Sequence, residues 1–136
     1  MDASLLDTDT LSEILKKRNA AVMAKAASYL KQHGQFTFSA FSRFEIRRGY
    51  IDKRATQQIA KFDSFCGHSK VLPITDGIFD EAALLWSQAR QGGHPRSDAD
   101  LLIAATALQH DLVLIAGNVR HFAWMPRLRI EDWRAP

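Results

Sequence analysis

The chain has 136 residues, of which 46% are hydrophobic, so we expect one globular domain with a sizeable core rather than a disordered chain. Its net charge of +3 permits an acidic partner such as a nucleic acid without requiring one, and Cys66, the only cysteine, excludes an internal disulfide and a cysteine-rich zinc site. The sequence contains no apolar run long enough to span a membrane and no signal-peptide pattern, so we expect a cytoplasmic protein without a membrane partner.

Short apolar strands alternate with helices along the chain. Strands are predicted over residues 5–6, 36–39, 71–74 and 112–115, with 128–130 as a last edge strand. Helices are predicted over residues 10–17, 19–32, 42–51, 55–65, 76–89 and 98–108. This alternation favours a single α/β domain over residues 1–136, with a mostly parallel central sheet.

Three of the predicted helices begin with the spacing of a capping box, in which a hydroxyl residue precedes an acid by three positions. The pairs are Thr10 with Glu13, Ser42 with Glu45, and Ser97 with Asp100. The third pair stands before an apolar run with almost no polar face, which predicts a buried helix. A purely structural interpretation of these acids is thus open: each could cap its helix or interact favourably with the helix dipole, without taking part in a site.

Acidic and amide side chains also follow the predicted strands or begin the helices after them. They are Asp7, Glu45, Asp98, Asp100 and Asn118. Ligands of a parallel sheet collect at the carboxyl ends of its strands, so these side chains could converge on one edge. Converging carboxylates repel one another, and a divalent cation removes that repulsion. Oxygen ligands suit Mg²⁺ or Mn²⁺, which can polarise a phosphate and activate a water, as in nucleases.

Basic residues cluster around the predicted helix that carries Glu45. They are Arg43, Arg47, Arg48, Lys53 and Arg54. Such a cluster could hold a polynucleotide backbone, although a solvated helix face gives the same pattern. Six aromatic residues are predicted to belong to the core rather than to stack on bases: Phe36, Phe38, Phe62, Phe65, Trp86 and Phe122.

In order and spacing, these motifs resemble those of the PIN-domain ribonucleases, and among them the VapC toxins and FitB-like proteins of bacterial type II toxin–antitoxin pairs. The motifs are Leu5-Leu6-Asp7-Thr8, Ser39-x-x-Ser42-x-x-Glu45-x-x-x-Gly49, Asp98-x-Asp100-Leu-Leu-Ile-Ala-Ala and Asn118-x-x-x-Phe122. The closing stretch, Leu128-Arg129-Ile130-Glu131-Asp132-Trp133, is similar to the tail of VapC chains.

The resemblance implies a PIN-like α/β/α sandwich and an Mg²⁺- or Mn²⁺-dependent endoribonuclease activity. Asp7, Glu45 and Asp100 match the family's three acids, and Asp98 is a frequent extra acid in such chains. We expect Asp7 and Asp100 to ligate the metal, with Glu45 and Asp98 acting through waters. The implied partners are an RNA substrate, with transfer RNA among the candidates, and a small VapB-like antitoxin in the acidic groove. A homodimer that can enter a larger toxin–antitoxin assembly is also implied.

The segment after the fourth predicted strand departs from the family pattern, T-[RN]-[ND]-x-x-[DE]-F. Ala116 stands in place of the threonine, and His121 in place of the acid before Phe122. Asn118 offers a neutral oxygen where some relatives offer a carboxylate, and a protonated His121 would repel a cation. We therefore predict weak metal binding until RNA phosphate supplies further oxygens. The alternative is that His121 points to solvent or caps a short helix.

Two other functions stay open at this stage. The first is a catalytically degenerate PIN domain that binds RNA or an antitoxin without cleaving RNA. The second rests on Asp7-Thr8-Asp9-Thr10, which is similar to the D-x-D-x-T opening of haloacid-dehalogenase-type phosphatases, with Asp7 as nucleophile and Asp9 as acid/base. That family places its later acidic pair after an apolar strand, whereas Asp98 and Asp100 precede an apolar run.

Overall fold

Strand β1 (Ser4–Leu6) lies at the centre of a five-stranded sheet in which every pair of neighbours is parallel. The strand order is β3 (Lys70–Leu72), β2 (Thr37–Ser39), β1, β4 (Val113–Ile115) and β5 (Ile130–Glu131). This computed structural model describes residues 1–135, so Pro136, the last residue of the predicted domain, lies outside the described residues. The predicted parallel sheet is confirmed.

Six α-helices connect the strands within the described chain. They are α1 (Thr8–Lys16), α2 (Ala20–His33), α3 (Ala40–Asp52), α4 (Thr56–Gly67), α5 (Asp76–Gly92) and α6 (Asp98–Gln109), and a 3₁₀ turn (Val119–His121) follows β4. Across residues 1–135, none of the helices combines the length and the apolar character that crossing a membrane requires.

The sheet separates two hydrophobic cores, because successive side chains of a strand point to opposite faces. Leu5 and Leu114 belong to the core covered by α5 and α6. Leu6 and Ile115 belong to the other core, which contains side chains of α1, α2, α3 and α4 together with the fully buried Trp133. Helices thus cover both faces of the sheet, and the predicted α/β/α sandwich is confirmed.

Helix α6 has the predicted start and the predicted burial. The Ser97 hydroxyl accepts a hydrogen bond from the backbone N–H of Asp100 at 3.2 Å, so Ser97 caps the helix. Leu101 and residues 103–107 are buried against α5 and the sheet. The helix is apolar and buried beyond its first turn. Its acidic first turn therefore lies at the border between core and solvent.

Two predicted capping boxes are wrong. Helix α1 begins at Thr8 rather than Thr10, because the Asp7 carboxylate already caps it by accepting from the Thr10 N–H. Helix α3 begins at Ala40, because the Ser39 hydroxyl accepts from the Phe41 N–H at 3.0 Å. Both caps lie at the ends of the preceding strands, so both helices begin two residues earlier than predicted.

One core prediction is also wrong. Trp86 lies on the outer side of α5 with 42% of its surface exposed. Arg96 covers it, with the guanidinium carbon 5.6 Å from the ring centroid. Apolar residues occur on both the buried and the outer face of α5, so their spacing in the sequence could not show which face carries Trp86.

Candidate active site

Asp7 follows β1 directly and is the most constrained carboxylate of the site. Its side chain is 5% exposed. Oδ1 accepts a hydrogen bond from the Thr10 N–H at 2.7 Å, and Oδ2 accepts one from the Gly117 N–H at 2.9 Å. The second bond crosses from β1 to the segment after β4, so it ties together the ends of two neighbouring strands.

Burial and hydrogen bonding act in opposite directions on this carboxyl group. Burial raises the pKa of Asp7 from 3.8 to about 6, because removal from water disfavours the charged form. The hydrogen bonds from Thr10 and Gly117 lower the pKa but do not cancel this effect. Asp7 is therefore largely ionised at neutral pH and carries a charge that is poorly solvated. Such a charge favours a bound cation.

Glu45 lies on α3 and reaches the same edge of the sheet through Thr8. The Thr8 hydroxyl donates to Glu45 Oε1 at 2.7 Å and lies 2.9 Å from the buried Ser42 hydroxyl. Arg48 Nη2 lies 3.6 Å from Glu45 Oε2. Because Thr8 is the residue next to Asp7, this hydrogen bond fixes the Glu45 carboxylate near the end of β1.

Asp100 is held by the segment that follows β4. Its Oδ2 lies 2.9 Å from His121 Nδ1, and His121 Nε2 lies 3.1 Å from Asn118 Nδ2. An ionised carboxylate only accepts hydrogen bonds, so His121 Nδ1 donates to Asp100. The alternative orientation of His121, towards solvent or as a helix cap, is not the one observed, because the imidazole contacts Asp100.

Hydrogen bonds, together with the adjacency of Asp7 to Thr8 and of Gly117 to Asn118 in the chain, thus connect four of the five predicted site residues. The network runs from Glu45 through Thr8 to Asp7, through Gly117 to Asn118, and through His121 to Asp100. It spans the carboxyl ends of β1 and β4, where the strand order reverses direction along the chain. This switch point is the position at which open parallel sheets bind ligands.

Asp98 lies elsewhere. It is exposed and lines a cleft between α5 and α6 with Phe79, Trp86 and Leu102. Two positions along a helix correspond to a rotation of about 200°, so Asp98 and Asp100 point to nearly opposite sides of α6. The structure therefore does not bring Asp98 into the network around Asp7.

The chemistry of the network suits a hard divalent cation, because Asp7, Glu45, Asp100 and Asn118 supply only oxygen ligands. Within residues 1–135, however, no group of three or more His, Cys, Asp or Glu side chains is close enough together to hold an ion. The first ligands would thus be few, with Asp7 and Asp100 carrying the charge. Further oxygens would have to come from water or from a bound phosphate.

One basic side chain of α3 flanks the carboxylates. Arg48 is exposed and contacts Glu45, whereas Arg43 lines another cleft with Asp63 and Cys66. Arg47 instead forms an ion pair with Asp63 of α4, so part of the predicted basic cluster stabilises helix packing. Arg120, beside Asn118 and His121, lines a cleft of about 400 Å³ with Pro95. The site therefore places cations on both sides of its acids.

Three contributing residues were not singled out from the sequence. Thr8 links Asp7 to Glu45, and its only sequence signal is its position directly after Asp7. Gly117 donates to Asp7, and a Cβ atom there would lie 3.0 Å from Asp9 Cβ and 3.2 Å from Arg134 Nη2. Arg134 donates to the Gly117 carbonyl, a contact 17 residues away that no local pattern reveals.

Comparison with known proteins gives matches over nearly the whole chain. A family model described as PIN domain matches residues 4–126. Ribonuclease VapC19 of Mycobacterium tuberculosis is 28% identical over 125 residues, covering 92% of this chain and 96% of the relative.

Two crystal structures have closely similar folds. The first is VapBC2 from Rickettsia felis bound to a DNA fragment from their promoter, with a TM-score of 0.86, 21% identity, and coverage of 96% of this chain and 98% of that one. The second is VapBC-1 from nontypeable Haemophilus influenzae, with a TM-score of 0.85, 25% identity, and coverage of 98% and 99%.

Proposed function

This chain belongs to the PIN-domain family, and from that premise we propose that it is an Mg²⁺- or Mn²⁺-dependent endoribonuclease, the toxin of a VapBC-type toxin–antitoxin pair. The observation that carries the proposal is the network joining Asp7, Glu45 and Asp100 at the switch point of the sheet. The similarity to ribonuclease VapC19 and to VapBC complexes supports the same activity and a VapB-like partner.

In this proposal Asp7 and Asp100 hold the metal, and Glu45 shapes its water shell. A bound ion would lower the pKa of a water molecule and stabilise the charge that develops on the scissile phosphate. The Thr10 and Gly117 N–H groups hold the Asp7 carboxylate in one orientation, and His121 does the same for Asp100. The exposed Arg48 offers positive charge to the RNA backbone beside these acids.

The test is cleavage of a labelled single-stranded RNA as Mn²⁺ is added, with the wild-type chain and the variants Asp7→Asn and Asp100→Asn. We expect each substitution to reduce cleavage by at least about a hundredfold, because loss of supporting groups alone costs up to about that much. Asp111→Asn is the matched control, since that side chain is 97% exposed and precedes β4 at the opposite edge of the sheet.

The same assay separates the alternatives. A wild-type chain that binds RNA saturably but does not cleave it with Mn²⁺ would be a degenerate PIN domain, the alternative raised by His121 in the position where the family pattern has an acid. Phosphatase chemistry is not supported, because the family model that matches the chain is that of a PIN domain. Asp9 is exposed on the first turn of α1 and lines a cavity with Glu13, Lys16 and Gly117.

The antitoxin partner is expected to bind two features. An apolar groove of about 770 Å³ lies between α1, α2 and α4, and Leu30, which is 40% exposed, lines it together with Phe36 and Phe65. A helix of the partner could bury its apolar face there, while a basic side chain faces the carboxylates.

Co-expression with the product of a short reading frame immediately upstream tests this interaction. We expect the two chains to co-purify, and Leu30→Glu to abolish co-purification because it places a charge in the apolar groove. Leu84→Glu is the control, since Leu84 is 51% exposed on α5, outside the groove. Equal co-purification of both variants would contradict this docking mode.

Self-association is proposed on the outer face of α5. Phe79 is 51% exposed and Trp86 is 42% exposed, and they lie two helical turns apart on one side of the helix. Exposed aromatic pairs of this kind are typical of protein interfaces. Sedimentation should show a dimer for the wild-type chain and a monomer for Trp86→Glu.

A further inference from the structure

Phe44 is an exposed aromatic residue beside the carboxylate network. Its side chain is 51% exposed on α3, directly before Glu45 in the sequence. The Arg48 guanidinium carbon lies 5.0 Å from the ring centroid, and the Phe41 ring packs against it at a centroid distance of 5.6 Å. One side of the ring is thus fixed by protein, and the ring remains accessible.

Arg48 connects this ring to the acids. The same guanidinium that contacts Phe44 lies 3.6 Å from Glu45 Oε2, while 59% of the Arg48 side chain is exposed. Positions three and four apart are neighbours on a helix surface, so the aromatic ring, the cation and the carboxylate occupy adjacent turns of α3. The Phe44 ring and the Arg48 guanidinium therefore lie at the rim of the site where the proposed reaction takes place.

We propose that Phe44 and Arg48 form a nucleotide subsite of this chain, in which one base of single-stranded RNA stacks on the Phe44 ring and Arg48 binds an adjacent phosphate. The inference rests on the proposed ribonuclease function and adds to it the residues that hold the strand next to the scissile bond. Stacking on an aromatic ring together with a nearby cation is a common way of binding unpaired nucleotides.

The surrounding charge favours RNA as the occupant. Arg48 is 59% exposed, and its guanidinium lies over the Phe44 ring. Covering this face with an apolar protein surface would remove the charged guanidinium from water, with only the Glu45 carboxylate beside it. A phosphate of a polyanion instead keeps the guanidinium paired while the neighbouring base covers the ring.

Two properties follow from stacking as the mode of contact. Every base has a flat face, so the subsite should tolerate different bases at this position. A base in an A-form duplex is already stacked on its neighbours, so the subsite should select single strands, loops or bulges over paired RNA.

The experiment measures the affinity of the full chain for a fluorescein-labelled single-stranded RNA of about ten nucleotides, a length within known single-strand site sizes. Anisotropy is recorded in EDTA, so that binding is separated from metal-dependent cleavage. We expect Phe44→Leu to weaken binding about tenfold and Phe44→Tyr to retain wild-type affinity. Leu84→Ala is the control, because Leu84 is also an apolar residue with 51% exposure but lies on α5, outside the proposed surfaces.

A second measurement distinguishes stacking from a general effect on the surface. The RNA is made with a single abasic nucleotide at each position in turn. We expect one abasic position to weaken binding to the wild-type chain about tenfold and to have no further effect on Phe44→Leu, because both changes remove the same contact.

Additive losses at every abasic position would overturn the subsite, and so would unchanged binding by Phe44→Leu or absence of RNA binding by the wild-type chain. A Phe44→Leu chain that sediments as a monomer where the wild type is a dimer would assign this face to a second copy and also overturn it. Failure of the proposed function would be recognised separately, as absence of Mn²⁺-dependent cleavage by the wild-type chain.

Discussion

Asp7 shows how one residue can be essential to both fold and site. It caps α1 through Thr10, and it receives the N–H of Gly117 from the segment after β4. These bonds fix the carboxylate at the switch point of the sheet, where it is too buried to be well solvated. The expected consequence is that its ionisation opposes folding and that cation binding offsets this effect.

The free energy of unfolding should depend on pH through Asp7. Its pKa is 3.8 ordinarily and about 6 in the folded chain, so between these values the folded protein retains a proton that the unfolded chain has released. Stability must then fall as pH rises through this window, by about 3 kcal/mol for a shift of this size. Urea unfolding in EDTA at several pH values measures it.

Asp7→Asn provides the control for this prediction. The difference in unfolding free energy between the wild-type chain and Asp7→Asn should change from pH 4 to pH 6 and stay constant above about pH 7. A constant difference across the whole range would show that the pKa of Asp7 is not raised. Because the same proton competes with the metal, cleavage at subsaturating Mn²⁺ should also increase with pH up to about 6.

The segment between β4 and the 3₁₀ turn contacts both of the proposed metal ligands. It places Gly117 against Asp7 and His121 against Asp100. The Trp124 indole N–H donates to the His121 carbonyl at 3.0 Å, and the Trp124 ring stacks on His94 at a centroid distance of 4.9 Å. Contacts at Gly117, His121 and Trp124 thus hold the segment, which presents an imidazole to Asp100.

We predict that His121→Asp increases the affinity for Mn²⁺. A carboxylate in this position would lie beside Asp100 and repel it, and a cation would relieve the repulsion. Asn118→Asp should act in the same direction, because it replaces an amide dipole by a charge. Calorimetric titration with Mn²⁺ measures both variants against the wild-type chain.

RNA cleavage as a function of metal concentration gives an independent measurement of the same effect. The two variants should reach half-maximal cleavage at lower Mn²⁺ than the wild-type chain. Identical curves for all three chains would show that the segment makes no contribution to metal binding, even though His121 contacts Asp100.

At the scale of the whole molecule, the sheet belongs to two cores at once. Leu114 is fully buried on the α5 and α6 side, and Ile115, the next residue of β4, is fully buried on the other side with Trp133. A substitution that leaves a cavity in one core therefore disturbs β4, which also packs in the other core. The hydrogen bonds of the candidate site lie at the carboxyl ends of β4 and of its neighbour β1.

We expect Leu114→Ala to reduce the free energy of unfolding by about 2–5 kcal/mol, because it leaves a cavity in a fully buried position. Denaturant unfolding followed by far-UV circular dichroism and by tryptophan fluorescence should give coincident transitions, since both cores share the sheet. Leu84→Ala, at a position 51% exposed on α5, is the control and should change stability by less than about 1 kcal/mol. Separate transitions for the two probes would contradict cooperative unfolding.

Local sequence patterns determined the elements and their class. The alternation of short apolar strands with helices, and the apolar run after Ser97, predicted a parallel sheet covered by helices, because periodicity and capping are local properties. The positions of Asp7 and Asp100 at a strand end and a helix start followed from the same patterns. The first residues of α1 and α3 did not follow from these patterns, because Asp7 and Ser39 cap the two helices from the ends of the preceding strands.

Only the tertiary structure decided which side chains meet. That His121 contacts Asp100 depends on how the segment after β4 crosses the sheet edge, and the packing of α6 decides that Asp100 rather than Asp98 faces this segment. The exposure of Phe44 depends on the packing of α3, although its contact with Arg48 is local to that helix. The burial that raises the pKa of Asp7 depends on the strands and helices around it, including the contact with Gly117. These contacts join residues far apart in the sequence, so no spacing along the chain encodes them, whereas the strand order brings them together at one edge.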